Sequence, residues 1–254
     1  MTPDFPAPRT DWCLFLDFDG TLVEIAESPD AVRAERHLAA TLTAISARLG
    51  GAVAIVSGRP IAEVERHLDH EGFPAAGLHG LEMRMRAGQP ISRVDVSAPD
   101  KGIRDALASF AAGRPGLLFE DKGIALALHY RARPDLADAC RDAVKDAVAR
   151  HGNLQVLEGK MVFEVKPAAA DKGRAVRRFM DEAPFAGRVP VFAGDDVTDE
   201  DGFRAAAAFG GFGIKIGAGE TAARWRIGTV AEFLRWLVAM PGRLDRAARE
   251  TAAP

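Results

Sequence analysis

The nine residues Leu14-Phe15-Leu16-Asp17-Phe18-Asp19-Gly20-Thr21-Leu22 constrain this chain more than any other stretch. A short apolar run ends in two carboxylates one residue apart, followed by a glycine and a hydroxyl. The run reads as a buried strand, and Gly20 lets the chain leave it sharply. Two carboxylates this close repel each other and lose solvation on burial, so a purely structural role is hard to defend. Around a cation the same arrangement is favourable. At the carboxyl end of a central strand it would stand where open α/β sheets bind ligands.

The same pattern recurs along the chain. Pro29-Asp30 is expected to open a helix with Leu38, Leu42, Ile45 and Leu49 on one face and Gly50-Gly51 at its end. Residues 52–56 read as a second buried strand, stopping at Ser57-Gly58-Arg59-Pro60, and the helix behind it turns Ile61, Val64 and Leu68 inward. Asp171-Lys172-Gly173 opens a helix carrying Val176, Phe179 and Met180. A strand over residues 189–193 then ends in Gly194-Asp195-Asp196-Val197-Thr198-Asp199-Glu200. A helix to Phe209 and a strand over 212–216 follow. This alternation predicts a parallel sheet. A capping box from Thr229 to Glu232 opens the last helix, with Phe233, Leu234 and Leu237 inward, and residues 245–254 are expected to fray.

Between these parts the pattern changes. Residues 83–96 alternate apolar and charged side chains, as antiparallel strands with one wet face do. Pro99-Asp100 reads as a boundary. Residues 102–111 read as a helix and 117–130 as a hairpin turning at Asp121-Lys122-Gly123. Residues 134–150 read as a second helix with Leu136, Cys140, Val144 and Val148 inward. Residues 154–165 read as a second hairpin turning near Glu158-Gly159-Lys160. Helix and hairpin, twice over, make a small α+β unit with the look of an internal duplication. The fold expected is therefore α/β, a Rossmann-like core with a parallel sheet over residues 1–98 and 168–254. An inserted α+β domain spans 99–167.

At 254 residues the chain can bury such cores without covalent staples. Its net charge of -3 offers no basic footprint for nucleic acid. Cys13 and Cys140 lie far apart in apolar settings and read as reduced core residues. The first eleven residues hold prolines and acids and no leader-like apolar run, and the apolar stretch at 233–240 is short and broken by Arg235. The expectation is a cytoplasmic monomer acting on a small molecule, with neither nucleic acid nor membrane as partner.

Three core strands thus end in reactive clusters: Asp17, Asp19 and Thr21; Ser57-Gly58-Arg59; and Asp195-Asp196 with Asp199. Lys172 opens the helix before the third. Strand ends of one parallel sheet face one crevice, so these groups are expected to converge. A few carboxylates completed by substrate phosphate suit magnesium. Hydroxyls and free backbone N–H groups suit phosphate oxygens.

Residues 17–22, 57–59, 171–173 and 194–200, in that order, resemble the four motifs of the haloacid dehalogenase-like phosphatases. The resemblance implies a two-step hydrolysis. Asp17 would attack phosphorus, and Asp19 would act as acid and then base. Magnesium would be held by Asp17, the backbone carbonyl of Asp19, and Asp195, with Asp196 and Asp199 behind them. Thr21, Ser57, Gly58, Arg59 and Lys172 would hold the phosphoryl group.

The inserted domain should choose the leaving group. Glu120, Lys122 and Glu164 stand at hairpin tips or ends. Paired carboxylates and an ammonium can accept from and donate to neighbouring sugar hydroxyls. Leu78-His79-Gly80-x-Glu82, Glu120-x-Lys122-Gly123, His129-Tyr130-Arg131 and Glu164-Val165-Lys166-Pro167 are similar to segments of the trehalose-6-phosphate phosphatases. That resemblance puts Glu120, Lys122 and Glu164 on the distal glucose. It leaves His79 between loop structure and substrate, reads Glu82 as structural, and assigns Arg131 no role. Trp225-Arg226-Ile227-Gly228 departs from the usual pattern, in a way that bears on packing. The nearest alternative is another sugar-phosphate phosphatase, of the sucrose-phosphate or mannosylglycerate type. Receiver domains share an acidic pocket but lack the second aspartate and the insertion, and no Gly-x-Gly-x-x-Gly turn points to a nicotinamide dehydrogenase.

Overall fold

The first strand, β1 (Trp12–Leu16), is buried along all five residues, as a run of apolar side chains between two neighbouring strands should be. The computed structural model describes residues 6–25, 32 and 34–251. The helix start expected at Pro29-Asp30 lies outside them. Within them the first helix is α1 (Leu38–Arg48), and Gly50 and Gly51 follow it with positive φ. The chain continues through β2 (Val53–Val56), α2 (Ile61–Leu68), β3 (Ala75–Gly77), β4 (Glu82–Arg84) and β5 (Ser92–Arg93). After an intervening stretch come α5 (Lys172–Met180), β10 (Val189–Gly194), α6 (Asp199–Ala208), β11 (Phe212–Ile216), β12 (Trp225–Ile227) and α7 (Val230–Thr251). The intervening stretch holds α3 (Lys101–Ala112), β6 (Leu118–Asp121), β7 (Leu126–His129), α4 (Ala137–Val148), β8 (Leu154–Gly159) and β9 (Val162–Pro167).

Two compact units result, one of residues 1–93, 172–195 and 199–254, the other of residues 94–171 and 196–198. The first holds an eight-stranded sheet in the order β12-β11-β10-β1-β2-β3-β4-β5. The pairs from β12 through β3 are parallel; β4 and β5 add on antiparallel. The fold is thus α/β with a mostly parallel sheet, as expected. From β1 the chain builds outward to β2 on one side and returns to β10 on the other. The crevice past the end of β1 is the switch point of the sheet.

Aromatic packing fixes β1. Phe15 meets Phe179 of α5 at 5.6 Å and Phe185 at 5.3 Å between ring centroids, and the Cys13 thiol lies 3.6 Å from the Met180 sulfur. Each such buried aromatic contributes roughly 2–3 kcal/mol of hydrophobic stabilisation. Any slip of β1 would carry Phe15 out of this nest.

Three details differ from expectation. Residues 83–96 yield only the short β4 and β5, and both residues of β5 are exposed at the sheet edge. β12, three residues long, was not foreseen; it pairs with β11 from Ile214–Trp225 to Ile216–Ile227. Finally, α7 does not fray at Asp245. It runs to Thr251 past the internal Pro241, held by buried Leu244 and by both Asp245 oxygens on Arg48 of α1 at 2.8 and 2.9 Å.

The second unit has a four-stranded antiparallel sheet, β6-β7-β9-β8. Leu126, Leu128, Phe163 and Val165 pack with Ile103 and Leu107 of α3 and with Cys140 and Val144 of α4. Leu136 and Val148 are only partly buried beside this cluster. The Asp100 side chain accepts from the Ile103 N–H at 2.9 Å and caps α3. Both cysteines are buried and free. Among the described residues no helix is long and apolar enough to cross a membrane.

Candidate active site

Asp17 follows β1, and its backbone N–H still pairs with Ala193 of β10 at 2.9 Å, so the sheet aims the first carboxylate. The chain then turns through Gly20 (φ +80°). A Cβ built there would lie 2.3 Å from Asp195 Oδ2, so only glycine lets the two loops approach. Gly194 repeats the device: a Cβ there would lie 2.2 Å from the Asp199 carboxyl carbon. Through these two gaps Asp17, Asp195 and Asp199 come together. One carboxylate oxygen from each lies within 4.8 Å of the others, and all three residues are buried.

Lys172, the first residue of α5 and 3 % exposed, bridges two of them. Its ammonium donates to Asp17 Oδ1 and to Asp199 Oδ1, each at 2.7 Å. Burial alone would lower the Lys172 pKa, but the two carboxylates hold it above its ordinary value. Burial, and next the charge of Asp199, push the Asp17 carboxyl well above the usual carboxylate range, against the pull of Lys172. Three carboxyl groups share one ammonium in a buried cluster whose possible metal donors are all oxygen. That donor set fits a hard divalent cation such as magnesium.

The other expected residues fall around this centre. Thr21 Oγ1 lies 3.4 Å from Asp17 Oδ2. Ser57, at the end of β2, accepts from the Arg59 N–H at 3.1 Å. His79 packs beneath: its N–H donates to the Ser57 carbonyl at 3.0 Å, and a Cβ on Gly58 would come within 2.8 Å of its Nε2. With φ +55° and 4 % exposure, His79 is buried against the Ser57 loop. Glu82, expected to be structural, accepts from the Ile61 N–H through Oε2 at 2.9 Å and from Arg93 through Oε1 at 3.1 Å. The Arg59 side chain, expected at the phosphate, grips Asp19. Nε and Nη2 donate to the two Asp19 oxygens at 2.6 and 2.8 Å, and Nη1 lies 3.2 Å from His67 Nε2. Asp199, expected behind the ligands, is one of the three clustered carboxylates, and its Oδ2 also accepts from the Asp195 N–H at 2.9 Å. Asp196 is half-buried.

Sequence reasoning missed Lys215 and Glu200. Lys215 lies on β11, buried, and its ammonium donates to the Asp195 carbonyl at 2.7 Å, with the Glu200 carboxylate 4.0 Å away. A lysine inside an apolar, doubly covered strand was the available signal.

The second unit carries the sugar candidates. Because Leu126, Leu128, Phe163 and Val165 face the helices, Ala127 and Glu164 must face the other side. Register sets Glu120, Ala127 and Glu164 in one row across β6, β7 and β9. Lys122 donates to Glu164 Oε1 at 2.7 Å, and Glu120 Oε2 pairs with His129 Nε2 at 2.9 Å. Burial works to raise the Glu120 pKa, but His129 and the charge of Lys122 hold it below its usual value. Arg131 stands just beyond β7, half-buried, next to Tyr130, whose ring stacks on Phe163 at 5.2 Å.

A parallel sheet with acidic loops at its central switch point defines the class. The chain has the fold of a haloacid dehalogenase-like hydrolase. It matches one from Bacillus subtilis with a TM-score of 0.60 at 14% identity, over 91% of this chain and 99% of that one. Within that class, residues 15–229 match the family model described as trehalose-phosphatase. The Escherichia coli K12 trehalose-6-phosphate phosphatase is 39% identical over 239 residues, 93% of this chain and 88% of that protein. The C-terminal domain of the Candida albicans trehalose-6-phosphate phosphatase superposes with a TM-score of 0.80 at 25% identity, covering 93% and 92%. The chain belongs to the trehalose-phosphatase family and is a phosphomonoester hydrolase.

Proposed function

We propose that this protein hydrolyses trehalose 6-phosphate to trehalose and phosphate, with magnesium, through an aspartyl-phosphate. The observation that carries the reading is the meeting of Asp17, Lys172 and Asp199 at 2.7 Å contacts beside Asp195, in a member of this family. Lys172 and the neighbouring carboxylates fix the Asp17 rotamer, so the nucleophile is oriented before substrate arrives. An Asp17 oxygen forms a bond to phosphorus as the bond from phosphorus to the sugar oxygen breaks. Asp19 gives that oxygen its proton. Asp19 then takes a proton from water as the water attacks phosphorus, and the bond to Asp17 breaks to release phosphate.

The Thr21 and Ser57 hydroxyls, the N–H groups around Gly58 and the Lys172 ammonium would bind phosphoryl oxygens. Asp17, the backbone carbonyl of Asp19, and Asp195 would hold the magnesium ion, with Asp199 and Asp196 supporting them. When bound, the ion supplies positive charge between a carboxylate and a dianionic phosphate that otherwise repel. In the second unit, which we read as the specificity domain, Glu120, Lys122 and Glu164 would bind the hydroxyls of the distal glucose. The shared hydrogen bond of Lys122 and Glu164 supports that pairing.

The test is phosphate release from trehalose 6-phosphate, sucrose 6-phosphate, glucose 6-phosphate and a small aryl phosphate, with magnesium or with chelator. Strong preference for trehalose 6-phosphate, lost with chelator, is the expected result. Metal-dependent release without that preference would leave the core chemistry and reject the sugar assignment.

A further inference from the structure

β11 reads Phe212-Gly213-Ile214-Lys215-Ile216, and all five residues are buried. A lysine is costly there unless its ammonium has firm partners. Lys215 lies beside Gly194 in the β10–β11 register, one residue short of Asp195. Its Nζ crosses to the Asp195 backbone carbonyl at 2.7 Å. The N–H of the same residue is taken by Asp199 Oδ2 at 2.9 Å. Both peptide units flanking the Asp195 Cα are therefore pinned by side chains at the point where the sheet has ended. A Cα held on both sides has a fixed Cβ direction. The Asp195 carboxylate is aimed at the gap left by Gly20, toward Asp17.

Glu200 completes the brace. One carboxylate oxygen lies 4.0 Å from Lys215 Nζ, and the other accepts from the Ala222 N–H at 2.7 Å. The Lys215 ammonium thus bonds the loop after β10, and Glu200, in the first turn of α6, bonds the segment before β12. The Lys215 and Glu200 charges offset each other, so the brace adds no net charge to the cluster.

We infer that Lys215 is a positioning residue for the divalent cation, acting through the Asp195 peptide; this rests on the proposed reading of Asp17 and Asp195 as holding that cation. Partners of metal ligands that do not touch the metal themselves typically change affinity about 10–100-fold when lost. The test is a titration with Mn2+, a hard cation whose free form is counted by its paramagnetic resonance signal. The unaltered protein should bind one Mn2+, and Asp195→Asn should abolish that binding. Lys215→Met should weaken it about 10–100-fold. The half-saturating Mn2+ for phosphate release should rise by the same factor, with kcat at saturating Mn2+ lowered by much less. Lys215→Met combined with Glu200→Gln, which removes the stranded carboxylate, serves if the single variant does not fold. Unchanged Mn2+ affinity in a folded variant, with only a lower Tm, overturns the inference. Failure of both variants to fold assigns Lys215 to the fold alone and overturns it too. If the unaltered protein binds no Mn2+, the cation reading itself fails.

Discussion

Arg59 holds both carboxylate oxygens of Asp19 in one guanidinium fork, at 2.6 and 2.8 Å, while Arg59 itself is nearly buried against His67 and Glu63 of α2. The fork fixes where Asp19 rests as a carboxylate, the form in which the proposed base acts, and one of its bonds must give way when Asp19 carries the acid's proton. Arg59→Lys keeps the charge but cannot form the fork. It should lower kcat/KM for trehalose 6-phosphate by about 10-fold or more, within the range that general acids supply. An aryl phosphate with a good leaving group needs that proton less and should lose less. Equal losses on both substrates would place Arg59 on the phosphoryl group.

Asp17→Asn keeps the size of the side chain and removes its nucleophilic oxygen anion. Turnover should fall by about a thousand-fold or more, since the nucleophile cannot be bypassed. Thermal melting should show the protein folded. Full retained turnover would reject the covalent mechanism.

Glu164 shares its hydrogen bond with Lys122. A hydrogen bond to a charged group is worth about 1.5–3 kcal/mol, or roughly 10–100-fold. Glu164→Ala should cost trehalose 6-phosphate hydrolysis about that factor and leave aryl phosphate hydrolysis within about 3-fold. Matching losses on the two substrates would remove Glu164 from the sugar site.

Gly20→Ala tests the approach of the two acidic loops. The new Cβ would lie 2.3 Å from Asp195 Oδ2 on a backbone at φ +80°. Backbone strain alone costs about 1–3 kcal/mol. Tm should fall by several degrees, at about 2–4 °C per kcal/mol for a chain of this size. Mn2+ affinity should fall with it. A variant with the parent Tm and affinity would contradict the close packing of Gly20 on Asp195.

The thiols give an independent check of the cores. Burial pushes the Cys13 thiol up to about 12 and raises Cys140 as well. A thiol reacts as thiolate, so at pH 8 the native protein should leave both unmodified by an aromatic disulfide reagent. Unfolding in denaturant should release both cysteines to it. One fast thiol in the native state would mean that one of the two cores is open.

The acidic centre was legible because its parts are short motifs, each at the end of an apolar strand. Asp17, Lys172 and Asp195 meet because the sheet order brings the ends of β1 and β10 together with the start of α5. Side-chain pairing across loops was not legible. Nothing in Ser57-Gly58-Arg59 says that Arg59 turns to Asp19 instead of a phosphate oxygen; that depends on where α2 sets Glu63 and His67. β12 escaped because three residues hold no period, and its strand character comes from β11 beside it. Residues 245–251 are polar on their own and stay helical through Leu244 and the Arg48 pair, a tertiary effect that local composition does not carry.

On the proposed sugar assignment, the row Glu120–Ala127–Glu164 would work as a ruler. Two strand spacings, roughly 10 Å in all, separate the two glutamate backbones, and a hydrogen-bonded ladder holds that span. The small central residue puts only a methyl group between the two glutamates. A relative could therefore measure a different sugar by exchanging side chains along the row, with every backbone hydrogen bond of the sheet left in place.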